Sequence, residues 1–170
     1  MTLAERCRQI DALILDVDGV LTAGHIVYSA EGFEIKSFHV RDGSAIKLWQ
    51  KTGKALGILS GRLSKVTSLR ARELGIADVE QGNAAKEPGL LQLLSLWKKQ
   101  PATVAYMGDD LPDVPVMQQV RLALAPADAC PEAKQAAHWI APAGGGEGAV
   151  RSAIELILQS QGLWPTSLSI

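Results

Sequence analysis

Five short stretches of this chain are almost wholly apolar: "ALILDV" (12–17), "ALGILS" (55–60), "TVAYMG" (103–108), "LALA" (122–125) and "HWIA" (138–141). A strand with one wet face alternates polar and apolar side chains. These stretches do not alternate, so both faces must be covered, as in a parallel sheet held between helices. Helix-like segments fill the gaps, near 43–52, 63–74, 88–99, 111–119, 131–137 and 147–160. Pro88 suits a first helical turn, and Gly75 stops the segment that ends "RARELG". The rhythm predicts a doubly wound α/β fold with a mostly parallel sheet. A length of 170 residues suits a single domain, 1–170. One segment breaks the rhythm. "HIVYSAEGFEIKSFHV" (25–40) places two β-rich runs around a turn, which predicts a small hairpin flap.

The flap directly follows "LILDVDGVLT" (13–22), in which a buried-looking strand ends in two aspartates. Desolvation and mutual repulsion both oppose such a pair unless a cation or a reaction uses it. Residues i and i+2 of an extended segment face the same way, so Asp16 and Asp18 can point together into the crevice beyond the sheet's carboxyl edge. "MGDDLPD" closes another strand and supplies Asp109, Asp110 and Asp113. Adjacent strand ends would let both groups share one hard cation, magnesium or calcium rather than zinc. Ser60 stands at the strand end in "ILSGR", and Lys86 stands just before a helix in "QGNAAKEPG". Carboxylates, a cation, a hydroxyl and a lysine together make a phosphoryl-transfer site. Each piece alone has a plainer reading: a turn for Asp16 and Asp18, a helix cap for Asp110 and Asp113, a solvated side chain for Lys86.

Composition narrows the partners. Net charge is −1 with 21% charged residues, and no basic run points to nucleic acid. No apolar run reaches the ~20 residues of a membrane span, and the N-terminus is too polar for a signal peptide. Cys7 and Cys130 form no CxxC pattern, and His25, His39 and His138 have no metal-ligand spacing. A cytoplasmic setting is expected. "GGGEGA" (144–149) matches G-x-G-x-x-A, but it sits outside a βαβ unit and reads better as a hinge before the last helix.

"DVDGVLT", "LSGR", the lysine of "NAAKEPG" and "GDDLPD" resemble the four motifs of the haloacid dehalogenase (HAD) superfamily of phosphatases, over about residues 11–158. With "VRDG", "YMGDDLPDVPVM" and "GGGEGAVR", the chain resembles 3-deoxy-D-manno-octulosonate 8-phosphate (KDO 8-phosphate) phosphatases. The resemblance implies a cap-free, HAD-like Rossmannoid core. Asp16 would be the nucleophile that forms an aspartyl-phosphate, and Asp18 the acid and then the base. Magnesium would be held by Asp16, the Asp18 carbonyl and Asp109. Ser60 and Lys86 would hold phosphoryl oxygens, while Asp110 or Asp113 would orient Lys86 or a metal-bound water. The resemblance also implies a homotetramer in which a neighbouring subunit roofs the site, giving the apolar tail 162–170 (Trp164, Leu168, Ile170) a place to bury.

A sugar-acid substrate needs an arginine for its carboxylate, and Arg62 and Arg70 are the candidates. Relatives acting on nine-carbon sugar-acid 9-phosphates have glutamate at the Arg62 position, which makes them the alternative. A non-catalytic HAD-like oligomerisation module is the other alternative. Two departures stand out: Ala23 replaces an aspartate frequent in the motif, and Glu147 replaces an arginine frequent in the branch.

Overall fold

The computed structural model describes residues 1–165. Strand β1 (Ala12–Leu15) lies at the centre of a six-stranded sheet. The hairpin strands β2 (Val27–Tyr28) and β3 (Glu34–Ile35) stand apart as a separate antiparallel pair. Next come β4 (Ala55–Ser60), β5 (Asp78–Gln81), β6 (Val104–Met107), β7 (Leu122–Ala125) and β8 (Trp139–Ile140). The sheet order is β5-β4-β1-β6-β7-β8, and every pairing is parallel. This is the expected doubly wound α/β class. The chain winds outward from β1 to β4 and β5, then crosses back to β6 on the other side. That reversal opens a crevice at the carboxyl end of β1.

Burial explains the unbroken apolar strands. Leu13 and Leu15 point to one core, with Ile46, Trp49, Ile154 and Leu158. Ala12 and Ile14 point to the other, with Leu90, Leu93, Tyr106 and Met117. The first face is covered by α1 (Leu3–Arg8), α2 (Val40–Lys51), α3 (Lys65–Leu74) and α7 (Ala149–Ser160). The second is covered by α4 (Glu87–Trp97), α5 (Val114–Met117) and α6 (Pro131–Ala136).

Several boundaries differ from the expectation for physical reasons. The strand "DVEQ" went unforeseen because β5 is a half-buried edge strand with polar positions. The single helix expected over 111–119 is instead a 3₁₀ turn, Leu111–Asp113, followed by α5. Gly75 closes α3 in the left-handed region, φ 73°, as its sequence position implied. Trp164 packs partly against the first core and carries the Arg151 guanidinium 4.6 Å above its ring. Leu168 and Ile170 lie outside the described residues.

Candidate active site

The crevice beyond β1, β4 and β6 is a cleft of about 400 Å³ lined by Asp16, Asp18, Ser60, Arg62, Lys86 and Asp109, among others. Asp16 is fixed by its own backbone, whose N–H donates to the Met107 carbonyl of the neighbouring strand at 3.0 Å. Gly19 then turns the chain with φ 92°, a region L side chains rarely adopt. A Cβ there would lie 2.0 Å from Asp109 Oδ2, so the residue is glycine for space as well as for conformation. Thr22 ties the turn together, accepting from the N–H groups of Gly19 (3.4 Å) and Gly24 (3.2 Å).

The glycine run at 144–146 packs against this turn instead of forming the expected hinge. Gly146 N–H donates to the Val20 carbonyl at 2.9 Å. A Cβ on Gly145 would come within 1.9 Å of the Gly19 carbonyl oxygen. Close backbone contact with the turn after Asp18 accounts for Gly145 and Gly146, while a Cβ on Gly144 would crowd the Asp128 carboxylate at 3.0 Å.

Lys86, 3% exposed, projects from the start of α4 to the base of the cleft. Its Nζ lies 2.9 Å from Asp16 Oδ2 and 2.6 Å from Asp113 Oδ1. Asp113 is saturated with donors. Its Oδ1 accepts from Lys86 and the Tyr106 hydroxyl, and its Oδ2 accepts from the backbone N–H groups of Asp109 and Asp110, each at 3.1 Å. Asp110 caps the 3₁₀ turn, accepting from Leu111 N–H at 2.8 Å. The helix-cap reading describes Asp110 and also Asp113, whose Oδ2 closes the capping box through the Asp110 N–H, while its Oδ1 faces inward to Lys86.

Charge is unbalanced here. Carboxylate oxygens of Asp16, Asp109 and Asp113 all lie within 4.8 Å of one another, with Lys86 as the cation among them. Burial pushes the Asp16 carboxyl up to about 7, against the pull of Lys86 and helped by Asp113. Burial, then the Asp16 and Asp113 charges, push Asp109 up to about 8. Burial pulls Lys86 down, but Asp16 and Asp113 outweigh it and hold the ammonium above its ordinary value. Burial and the neighbouring Asp113 drive Tyr106 well above the usual phenol range. Asp109 Oδ1 is buried with no hydrogen-bond partner. An orphaned carboxylate oxygen beside a second carboxylate suits a hard divalent cation. Because Asp113 has no lone pair to spare, the pair free to hold it is Asp16 and Asp109.

Asp18 meets the flap. Its Oδ1 pairs with Lys36 Nζ, and its Oδ2 lies 3.7 Å from Arg62 Nη1. Glu34 of β3 lies 3.1 Å from Arg62 Nη2. Arg70 does not reach the cleft: it stacks 5.4 Å above the Phe38 ring and pairs with Glu73 at 2.8 Å. Sequence reasoning missed Tyr106, Glu34 and Lys36. The signal for Tyr106 was a lone hydroxyl inside an apolar strand. For Glu34 and Lys36 it was i, i+2 spacing on a hairpin that follows the aspartates.

Residues 50–152 match the haloacid dehalogenase-like hydrolase family. The 3-deoxy-D-manno-octulosonate 8-phosphate phosphatase of Yersinia pestis is 43% identical over 157 residues, 92% of this chain and 84% of that protein. The enzyme of the same name from Salmonella typhi is 42% identical, covering 95% and 85%. The crystal structure of the Moraxella catarrhalis phosphatase, in complex with a magnesium ion, a phosphate ion and KDO, superposes with a TM-score of 0.91 at 34% identity, covering 94% of this chain and 91% of that one. A cleft floored by carboxylates and one buried lysine, on a chain with these relatives, leaves one assignment: the protein belongs to the haloacid dehalogenase-like hydrolases, in the family of the 3-deoxy-D-manno-octulosonate 8-phosphate phosphatases.

Proposed function

We propose that this chain is a magnesium-dependent phosphomonoesterase that releases phosphate from KDO 8-phosphate, with the whole of 1–170 acting as one catalytic domain. The observation that carries the reading is Lys86, buried between Asp16 and Asp113 beside the orphaned Asp109 oxygen. That sets an anion-binding lysine from the start of α4 beside a cation-binding pair from the ends of β1 and β6.

Asp16 attacks phosphorus, the bond to the sugar oxygen breaks, and an aspartyl-phosphate forms. Asp18 gives its proton to the departing sugar oxygen. It then takes a proton from the water that attacks the acyl-phosphate, which returns Asp16 and frees inorganic phosphate. Lys86 and the Ser60 hydroxyl hold the phosphoryl oxygens. Asp113 is a positioning residue that aims Lys86. The Asp16 and Asp109 carboxylates and the Asp18 backbone carbonyl would hold magnesium. Bound there, it offsets phosphate charge and keeps Asp16 ionised.

Arg62, 39% exposed at the cleft mouth, supports a substrate with a carboxylate remote from its phosphate. It favours KDO 8-phosphate over nine-carbon acids, whose phosphatases carry glutamate there. Exposed apolar side chains on and beside the flap (Val27, Tyr28, Phe33, Ile35) support association of subunits, here a homotetramer. Among the described residues no helix is long and apolar enough to cross a membrane. The substrate, a water-soluble sugar phosphate, would be met in the cytoplasm.

The test is phosphate release from KDO 8-phosphate and N-acetylneuraminate 9-phosphate, with magnesium or chelator and with Asp16→Asn as the blank. Magnesium-dependent release from the first alone supports the reading. Preference for the second moves the specificity and keeps the chemistry. Release from neither, nor from an aryl phosphate, in folded protein turns the assignment to the non-catalytic module.

A further inference from the structure

Glu34 stands on a hairpin that is mostly exposed, yet its side chain is only 16% exposed. Three elements converge on it. From the start of α3, Ser64 Oγ donates to Glu34 Oε2 at 2.5 Å. Ser64 also caps that helix, its Oγ accepting from Thr67 N–H at 3.2 Å, so the hydroxyl is anchored at both ends. From the loop after β4, Arg62 Nη2 lies 3.1 Å from Glu34 Oε1. From the flap itself, Lys36 Nζ lies 3.4 Å from the same oxygen. The Ser64 hydrogen bond, followed by the two cations, holds this carboxyl below the usual carboxylate range once burial is set against them.

The consequence falls on Arg62. Its Nη2 makes an ion-pair contact with Glu34 Oε1, and its Nη1 is buried 3.7 Å from Asp18 Oδ2, so the guanidinium sits between two carboxylates in the cleft wall with 39% of the side chain exposed. A long, part-exposed arginine left alone samples many rotamers, and ordering it costs about 2 kcal/mol. We infer that Glu34 is a positioning residue for substrate selection: its ion pair places Arg62 in the cleft wall so that the exposed part of the guanidinium meets the substrate carboxylate. The flap is thereby a working wall of the site, joined to α3 through Ser64. This rests on the reading that the substrate is a sugar-acid phosphate.

The experiment compares Glu34→Gln with the wild type in magnesium. The substrates are KDO 8-phosphate and p-nitrophenyl phosphate, which has no carboxylate. The expected result is a rise of about tenfold or more in KM for KDO 8-phosphate, with a much smaller loss on the aryl ester. In an Arg62→Ala background the Glu34→Gln change should add nothing for KDO 8-phosphate, because no guanidinium remains to be placed. Equal losses on both substrates, or an undiminished loss in the Arg62→Ala background, overturn the positioning role. Ser64→Ala removes the anchor from the other side and should give the same split if Glu34→Gln melts early. Wild-type turnover of the aryl ester without turnover of KDO 8-phosphate overturns the substrate reading instead, and the role given to Glu34 falls with it.

Discussion

Asp113→Asn isolates the group that aims the lysine. The carboxylate now accepts from four donors: the Lys86 ammonium, the Tyr106 hydroxyl and two backbone N–H groups. An amide has one accepting oxygen. If that oxygen faces the backbone N–H groups, the new NH₂ faces Lys86 and Tyr106, donor against donor. Removing one member of a buried ion pair costs about 3–5 kcal/mol. Relief of repulsion with Asp16 and Asp109 offsets part of this, leaving about 2–4 kcal/mol. For a chain of this length that is a drop of roughly 5–15 °C in Tm. The activity loss follows from Lys86, whose Nζ loses its 2.6 Å partner and keeps Asp16 as its charged partner, with the Tyr106 hydroxyl at 3.4 Å. Misplacing one preorganised donor lowers kcat by about 10²–10³-fold. The assay pairs denaturant titration in chelator with initial rates of phosphate release in magnesium. A variant within about 1 kcal/mol of wild type that keeps kcat within about threefold refutes the reasoning. It would mean that Asp16 and the Tyr106 hydroxyl are enough to hold the lysine.

Magnesium should stabilise the fold more at high pH than at low. Asp16 and Asp109, lifted to about 7 and about 8, keep protons in the folded chain that the unfolded chain has already released. Metal-free stability therefore falls as pH rises from the ordinary carboxylate range through about 8, and a cation that displaces those protons recovers it over the same window. Melting curves with magnesium and with chelator, at pH about 6 and about 9, check this. A cation-induced shift that does not change with pH counts against it. Gly145→Ala should cost more than about 2 kcal/mol and lower activity as well, since its Cβ would displace the Gly19 carbonyl that shapes the Asp16–Asp18 loop. Circular-dichroism melts and rates should fall together. Asp42 is buried in α2 and accepts from Arg151 N–H at 2.7 Å, acting as an N-terminal cap for α7 supplied from another helix. Asp42→Ala should cost about 1–2 kcal/mol in denaturant titration. Its effect on kcat should be small if capping is its role.

The sheet was legible because both its faces are buried. Leu13 and Leu15 serve one core and Ala12 and Ile14 the other, and that demand alone produces a continuous apolar run. The edge strand β5 carries no such demand, so its polar letters hid it. Asp16, Ser60 and Asp109 were legible for a related reason: each ends or follows an apolar strand, and parallel strand ends lie side by side, while Lys86 was marked by the helix start beside it. Arg70 shows where spacing stops informing. Counting helical turns from Arg62 places both on one face only if the helix includes Arg62, but α3 begins at Lys65, after a bend. The two arginines therefore diverge, Arg70 to Phe38 and Arg62 to the cleft. Glu34 and Lys36 were hidden because charged residues on a short hairpin look solvated until the fold closes over them. The division of labour among the acids was the least legible part. Spacing offered Asp110 and Asp113 as equal candidates for a cap. Only the folded geometry shows Asp113 turned inward, its lone pairs filled by Lys86, Tyr106 and two backbone groups. That commitment is what leaves Asp16 and Asp109 short of positive charge. The buried carboxylates are thus answered in two parts: Asp113 fixes the resident lysine, and Asp16 and Asp109 are the pair proposed to hold a cation.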